Sequence, residues 1–545
     1  MTAPAFFQGS LIAEHFSSAA VSCLAWVNYR GERREDWSAL GPEPASHSSS
    51  HRDGGKMRVK LFQMCSCMVL LAALAVCNRL NAVAQEVPVP AKSSTARLPA
   101  YPLRLSANHR YLVDRNNKPF LIVGDTPQDL MSRLTEKEAD RYFADRVEHG
   151  FNTMGWIDVT CAGPDSPDNK DSRTIDGILP FTGYVRGETD YEHYDLSRPN
   201  EAYFTRLDHI VGLAEKHGIL VFLDPMETNG WLPTLRNNGL TAAYSFGQYL
   251  GKRYKAFPNV AWISGNDFVT WKDPRDDSLV QAVAKGIRSV APEQIQTVEL
   301  NYETSSSFDD PTWIPIIDLN GTYTYSPTYM QMLHSYNQKP IAPVFLIEAH
   351  YDLENVGHPP DYGTTPTLRR EEYWTMLSGG TGQFYGNFYT WSFSPGWEHY
   401  IDTWGVKQLT IWKNLFSSIP WYNLVPDQSH TVVTGGLGTF AEYMTRPSHS
   451  DFCTAAITQD GSFVVVYMPT ARTITVNMAA LKAPARAEWL DPTAGAYTVV
   501  PGGQFANRGT RQFSPPGTNH DGSSDWVLIL RASSRNTPQR PARAN

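Results

Sequence analysis

From about residue 103 the chain alternates short apolar runs with longer amphipathic stretches. Phe120-Leu121-Ile122-Val123 reads as a first strand and closes on Gly124-Asp125-Thr126. Apolar spacing over 136–150 predicts a helix, entered at Leu134-Thr135 and stopped by Gly150. Asn152 to Asp158 is the second strand, and a long loop rich in Asp, Pro and Gly (160–200) follows; loops of that length on a compact scaffold are usually functional. A helix over 204–218 leads to the strand Ile219–Asp224, a helix over 241–256 to Val260–Asp267, and a helix over 277–291 to Gln296–Asn301. Ile316–Asn320 reads as a sixth strand with Tyr323 and Tyr325 just beyond. Pro343–Glu348 is the seventh, a helix over 367–378 comes next, Gly382–Phe388 is the eighth, and a helix over 406–418 closes the series.

Apolar strands that alternate with helices imply a parallel sheet covered on its outer face. Eight of them favour an α/β fold of the (β/α)8 TIM-barrel type over an open sheet. No Gly-rich dinucleotide fingerprint follows the first strand, which weakens the open-sheet alternative. After about 425 the period shortens. Phe463–Met468, Thr473–Val476, Arg486–Trp489 and Trp526–Leu530 are short strands between Gly, Pro and Asp turns. They predict a small antiparallel β-sandwich.

The predicted organisation is therefore a catalytic domain over 103–425, a β domain over 426–532 and a basic, disordered tail over 533–545. Upstream, Met57-Arg58-Val59-Lys60, the apolar run Met68–Val76 and Ala82-Val83-Ala84 read as a secretory signal peptide over 57–84. Residues 1–56 then read as a gene-model extension and 85–102 as a Pro/Ser/Ala linker. A genuine extension, with 61–77 as a marginal anchor, is the rival. The expected location is secreted or periplasmic, with no stable membrane span once the signal is cleaved. Of the six cysteines only Cys161 and Cys453 follow the cleavage site, and sequence leaves their pairing open.

Charge and composition narrow the partners. The net charge of −8 gives no reason to expect nucleic acid or an anionic membrane. Fifteen Trp and 12% aromatics suit stacking on sugars as well as they suit a large core. In a (β/α)8 barrel the catalytic groups sit at the C-terminal ends of strands. Those ends here carry Asp125, Asp158, Asp224, Asp267, Asn301, Asn320 and Glu348. No His-x-His ends the first strand and no Lys the sixth, so no metal or other cofactor is expected. A divalent ion on several Asp is the alternative.

Strands four and seven face each other across a barrel mouth. Asp267, after Asn266, and Glu348 can thus flank one glycosidic bond, one as nucleophile and the other as acid/base, in a retaining reaction. Asn266 is placed to bond the hydroxyl beside the anomeric carbon. Trp156, Tyr323, Tyr385 and Trp391 are candidates for sugar stacking or for packing at the mouth. Asp125 and Asp158 could bind sugar hydroxyls or brace the rim by salt bridges, and Asn301 is a further rim candidate. His350 could line the site or be a satisfied loop residue. Trp262, mid-strand, reads as core, and Asp224, before Pro225, as a turn residue.

The stretches RYLVDRNNKPFLIVGDT, GFNTM, AEKHGILVFLDP, NVAWISGND, FLIEAH and GGTGQFYGNFYTW resemble the apiosidase-like glycoside hydrolases, family 140. SFVVVYMPTARTITVN and AEWLDPTAG are similar to the collagen-binding-type domain that often follows such a barrel. The resemblance implies Asp267 as acid/base, Glu348 as nucleophile, and release of apiose-linked material from the pectin rhamnogalacturonan II. A binding or adhesion protein that grips glycan or collagen is the competing class; the carboxylate at each of the two strand ends speaks for an enzyme. Oligomeric state, linkage and endo or exo action are not legible.

Overall fold

The computed structural model describes residues 98–161, 169–301, 304–355 and 357–533. The expected extension and signal peptide, most of the linker, and the tail after Ser533 lie outside the described residues.

Eight parallel strands form the first part: β1 (Ile122–Asp125), β2 (Thr153–Asp158), β3 (Leu220–Asp224), β4 (Val260–Ser264), β5 (Gln296–Val298), β6 (Asn320–Thr324), β7 (Val344–Glu348) and β8 (Gly382–Tyr385). They pair in the order β5-β4-β3-β2-β1-β8-β7-β6, so the first and last strands in sequence are neighbours. A short antiparallel strand, Thr304–Ser306, extends β6. The sheet is curled: Ile122, Trp156, Phe222, Ile263, Tyr323, Phe345 and Phe384, from strands spread over the whole order, meet in one inner core. Phe384 projects into that core, 4.9 Å from the Phe345 ring and 5.4 Å from Phe222. It fits because β2 offers Gly155, where a Cβ would stand 2.5 Å from its ring.

The outward residues of the same strands pack on helices α1 (Glu136–Glu148), α2 (Glu201–Lys216), α3 (Thr228–Tyr254), α4 (Pro274–Val290), α5 (Thr328–Asn337), α6 (Thr365–Leu377) and α7 (Trp404–Ser417). Local chemistry sets their ends. Thr135 and Glu138 form a capping box on α1, and the Asn200 side chain accepts the Ala202 N–H at the start of α2. α3 starts well before the predicted 241 and is kinked at Gly239, φ 80°.

Strand six lies four residues later than its apolar signal. Ile316 and Ile317 are buried against the outer helices, beside Trp313, whose indole donates to Asp277 at 2.8 Å. The strand itself, Asn-Gly-Thr-Tyr-Thr, is polar because its outward groups are satisfied by α5: Thr322 Oγ1 donates to Ser335 Oγ (2.8 Å) and Asn320 Nδ2 to Gln338 (2.8 Å).

The C-terminal part contains a six-stranded antiparallel sheet built from Leu424–Pro426 (β9), Thr454–Thr458 (β11), Phe463–Met468 (β12), Ala485–Leu490 (β14), Tyr497–Val499 (β15) and Trp526–Ala532 (β17). A three-stranded one is built from Val433–Gly435 (β10), Ile474–Asn477 (β13) and Thr510–Phe513 (β16). Strand alternation gives the large sheet two jobs. Val464, Val466, Leu528 and Leu530 face the small sheet, whereas Val465, Tyr467, Val527 and Ile529 face α6 and α7. Tyr467 stacks on Tyr373 of α6 at 4.9 Å. Arg369 of α6 is 1% exposed and makes paired bonds of 2.9 and 3.0 Å to Asp525. The large antiparallel sheet thus covers the α6–α7 face. Cys161 and Cys453 are both buried and free.

Candidate active site

Asp267 reaches the mouth of the sheet through an unusual turn. Immediately after β4, Gly265, Asn266 and Asp267 all have positive φ (117°, 71° and 45°). Glycine adopts that region freely and asparagine tolerates it, but aspartate does so at a cost that its surroundings must offset. Two neighbours hold the turn. The Thr228 hydroxyl lies 2.7 Å from the carbonyls of Gly265 and of Asn266, and its amide donates to the first at 2.8 Å. From beyond β5, Glu299 Oε1 accepts the Asp267 N–H at 2.9 Å. No side chain fits at 265, where a Cβ would be 1.9 Å from the Glu299 carbonyl oxygen.

Glu348 is the last residue of β7 and is buried. The β6–β7 register slips between Thr322 and Tyr323, so Tyr323 lies opposite Glu348. The Tyr323 phenol stands between the two predicted carboxylates, 2.9 Å from Asp267 Oδ1 and 3.1 Å from Glu348 Oε1. Those oxygens are therefore no farther apart than the two bonds laid end to end. Tyr325 donates to the same Glu348 oxygen at 3.4 Å. Each phenol has one hydrogen to give.

Burial, then the charges of Asp267 and Glu354, push the Glu348 carboxyl well above the usual range, while the two phenols pull it back. Burial raises Glu299 well above its ordinary value too, and the Glu348 and Asp267 charges add to this. Glu354, on the loop after β7, is pushed up to about 7 by burial. Burial and the carboxylates hold the Tyr323 hydroxyl far above the phenol range, so it is a permanent donor. A cluster of interacting acids like this releases its protons as a group.

The other predicted residues divide by position. Asn266, half-buried, lies in the strained turn beside Asp267. His350 is buried behind Tyr325, its ring 5.0 Å from that ring and 4.2 Å from Tyr362, with Nδ1 bonded to Glu371. Trp156 is wholly buried in the inner core, its indole 3.4 Å from Asp224. Asp158 is buried beside Asp224, and its Oδ1 has no hydrogen-bond partner among the described residues. Burial and its acidic neighbours raise Asp158 well up, and burial takes Asp224 to about 8. No group of His, Cys, Asp or Glu among the described residues is arranged to hold a metal.

Asp125 is bound away from the mouth by Tyr142 (2.6 Å) and Arg146 (3.5 Å). Tyr385 points outward into the α6–α7 core and donates to Asp352 at 2.7 Å, because the neighbouring Phe384 takes the inward position. Trp391 is half-buried on the loop after β8, its carbonyl accepting the Asp129 amide. Asn301 follows Glu299 and Leu300 at the edge of the described segment and is half-buried.

Glu299, Glu354, Tyr325 and Thr228 were not legible as site residues. Glu299 carries a signal, a lone charge in the run Thr297-Val298-Glu299-Leu300, but the apolar pattern reads on to Asn301 as the strand end. Tyr325 and Glu354 lie on loops and Thr228 at the first residue of α3, and their approach to the site depends on tertiary structure.

A family model described as "Apiosidase-like, catalytic domain" matches residues 106–423, and one described as "Putative collagen-binding domain of a collagenase" matches 443–531. No curated protein matches the chain. Among solved structures, one described as "Glycoside hydrolase" is 22% identical with a TM-score of 0.67, covering 80% of this chain and 98% of its own. A glycoside hydrolase family 5 protein from Bacteroides vulgatus is 21% identical, also with a TM-score of 0.67, over 81% of this chain and 95% of its own. Both likenesses are of fold.

Proposed function

Since the chain belongs to the apiosidase-like catalytic-domain family, and so to enzymes that hydrolyse carbohydrate, we propose that it is a secreted, retaining glycosidase with Asp267 as acid/base and Glu348 as nucleophile. We read the curled sheet as a closed (β/α)8 barrel followed by a β-sandwich. Closure is supported by the amides of Asp318 and Leu319, which donate to the Gln296 carbonyl at 2.8 and 3.3 Å between β6 and β5.

The observation that carries the mechanism is the phenol shared by the two carboxylates. It keeps one oxygen of each carboxylate within two hydrogen bonds of the other, which is compatible with the roughly 5–5.5 Å between the carboxyl groups of a retaining pair. In the first step Glu348 attacks the anomeric carbon while Asp267 gives its proton to the leaving oxygen. In the second, Asp267 takes a proton from water, and the resulting hydroxide displaces Glu348. The two phenols that donate to Glu348 favour its charged form against burial and the neighbouring charges. When Glu348 becomes an ester, the single Tyr323 hydrogen can turn to the newly charged Asp267.

The substrate we propose is a plant-type polysaccharide, with apiose-linked rhamnogalacturonan II as the first candidate. Asn266, Asp158 and His350 are the proposed polar contacts around the sugar. Secretion rests on the signal-peptide pattern over 57–84. Product release from pectic and hemicellulosic glycans, with the anomer followed by NMR, tests the proposal. Retained configuration, lost in both Asp267→Ala and Glu348→Ala with the fold intact, is expected. Inverted product, or activity surviving both changes, would overturn it.

A further inference from the structure

The mechanism gives no part to Glu299, a buried acid beside its two carboxylates. Glu299 is 1% exposed, follows β5, and sits among Glu348, Asp267 and Asp224, the three groups whose charges act on it. It touches the reaction centre through the backbone: Oε1 accepts the Asp267 amide at 2.9 Å. Its second oxygen is buried with no hydrogen-bond partner among the described residues.

We propose that Glu299 is a positioning residue: its carboxyl oxygen holds the Asp267 amide in the left-handed turn and so fixes where the Asp267 carboxyl points. The inference rests on Asp267 being the acid/base. The backbone of the turn requires such a holder. Three successive residues lie at positive φ, ending on an aspartate at 45°, a conformation that persists only when its surroundings over-determine it. Thr228 secures the carbonyls of Gly265 and Asn266. The amide at the far end of the turn is secured by Glu299. Phe268, one residue on, is tied to the Leu300 carbonyl at 2.7 Å, so both anchors of the exit come from one segment, 299–300.

The chemistry asks for an acceptor, not for a charge. A fourth carboxylate beside Asp267, Glu348 and Asp224 would be repelled by their charges, burial opposes the charge as well, and the single Asp267 amide is all that favours it. Glu299 therefore keeps its proton on Oε2 and uses Oε1 as an amide-type acceptor. Glutamine has the same shape, the same acceptor and a donor in place of the acid hydrogen. Methionine fills the space and offers no oxygen.

The experiment compares Glu299→Gln and Glu299→Met with wild type in the full chain, by amide hydrogen exchange over 264–268 and by steady-state kinetics on a pectic oligosaccharide that wild type cleaves. Glu299→Met is expected to exchange faster there and to lose about 10²-fold in kcat, the scale of an angstrom-sized misplacement of a catalytic group, with KM little changed. Glu299→Gln is expected to restore both and to keep the wild-type pH–rate profile. Exchange as slow as wild type in Glu299→Met overturns the proposal, as does a Glu299→Gln enzyme that loses kcat like the methionine variant. If wild type cleaves nothing, the glycosidase reading fails, yet the exchange comparison still decides whether Glu299 holds the turn. Should Glu299→Met not fold, Glu299→Asp, which withdraws the oxygen by one methylene, takes its place with the same expectations.

Discussion

Replacing Tyr323 by Phe removes one oxygen from the centre of the site and little else. The ring is 1% exposed and packed in the inner core, so its volume is kept. The lost hydroxyl lies 2.9 Å from Asp267 and 3.1 Å from Glu348. A hydrogen bond to a charged group contributes about 1.5–3 kcal/mol, which as a barrier is a loss of roughly 10- to 150-fold in kcat/KM. The pH dependence identifies which carboxylate feels the loss. Tyr323 lowers the Glu348 carboxyl against burial and the neighbouring charges; without it Glu348 is harder to ionise. The acid limb of the kcat/KM profile, which reports the group that must be charged, should move to higher pH. The assay is initial rate against pH on a cleaved glycan, with circular dichroism to verify folding. Full activity, or a loss with the acid limb in place, would refute the role given to the phenol.

Four further outcomes are expected. Glu348→Gln should be inactive yet more heat-stable than wild type at pH 7. The raised carboxyl contributes fully below the unfolded pKa of roughly 4.3 and loses its contribution as pH climbs through the native value. Melting curves from pH 4 to 8 should show the difference growing with pH, and a constant offset would speak against it. Gly265→Ala should abolish turnover, since its Cβ would meet the Glu299 carbonyl at 1.9 Å; a crystal structure with the 265–267 turn unchanged would contradict this. Arg369→Met should cost roughly 3–5 kcal/mol in urea unfolding by leaving Asp525 buried without its cation, and adding Asp525→Leu should recover part of that. Ending the chain at 425 should expose the apolar faces of α6 and α7 that now meet Val465, Tyr467 and Ile529, giving aggregated protein on size exclusion.

Much of the architecture was legible locally. Apolar runs closed by a polar residue marked most of the parallel strands, because burial on two faces leaves a plain hydrophobic signature, and the change of period near 425 marked where the antiparallel sheets begin. The same rule failed at strand six, where Ile316-Ile317 carried the apolar signal and the polar Asn320–Thr324 formed the strand. Its buried hydroxyl and amide groups find partners on α5, and no periodicity shows a partner so far along the chain.

The site follows the same division. Sequence by itself singled out Asp267 and Glu348, since a charge that closes an apolar run has few other places to go; the structure puts Glu348 at the end of β7 but Asp267 in a turn just beyond the end of β4 at Ser264. Only the tertiary structure decided that Tyr323 joins them, that Tyr385 turns away, and that Glu299 reaches the Asp267 amide. Each of those depends on a one-residue choice of register or face. In a strand such a choice inverts the direction of every side chain, and only packing against the other strands makes it.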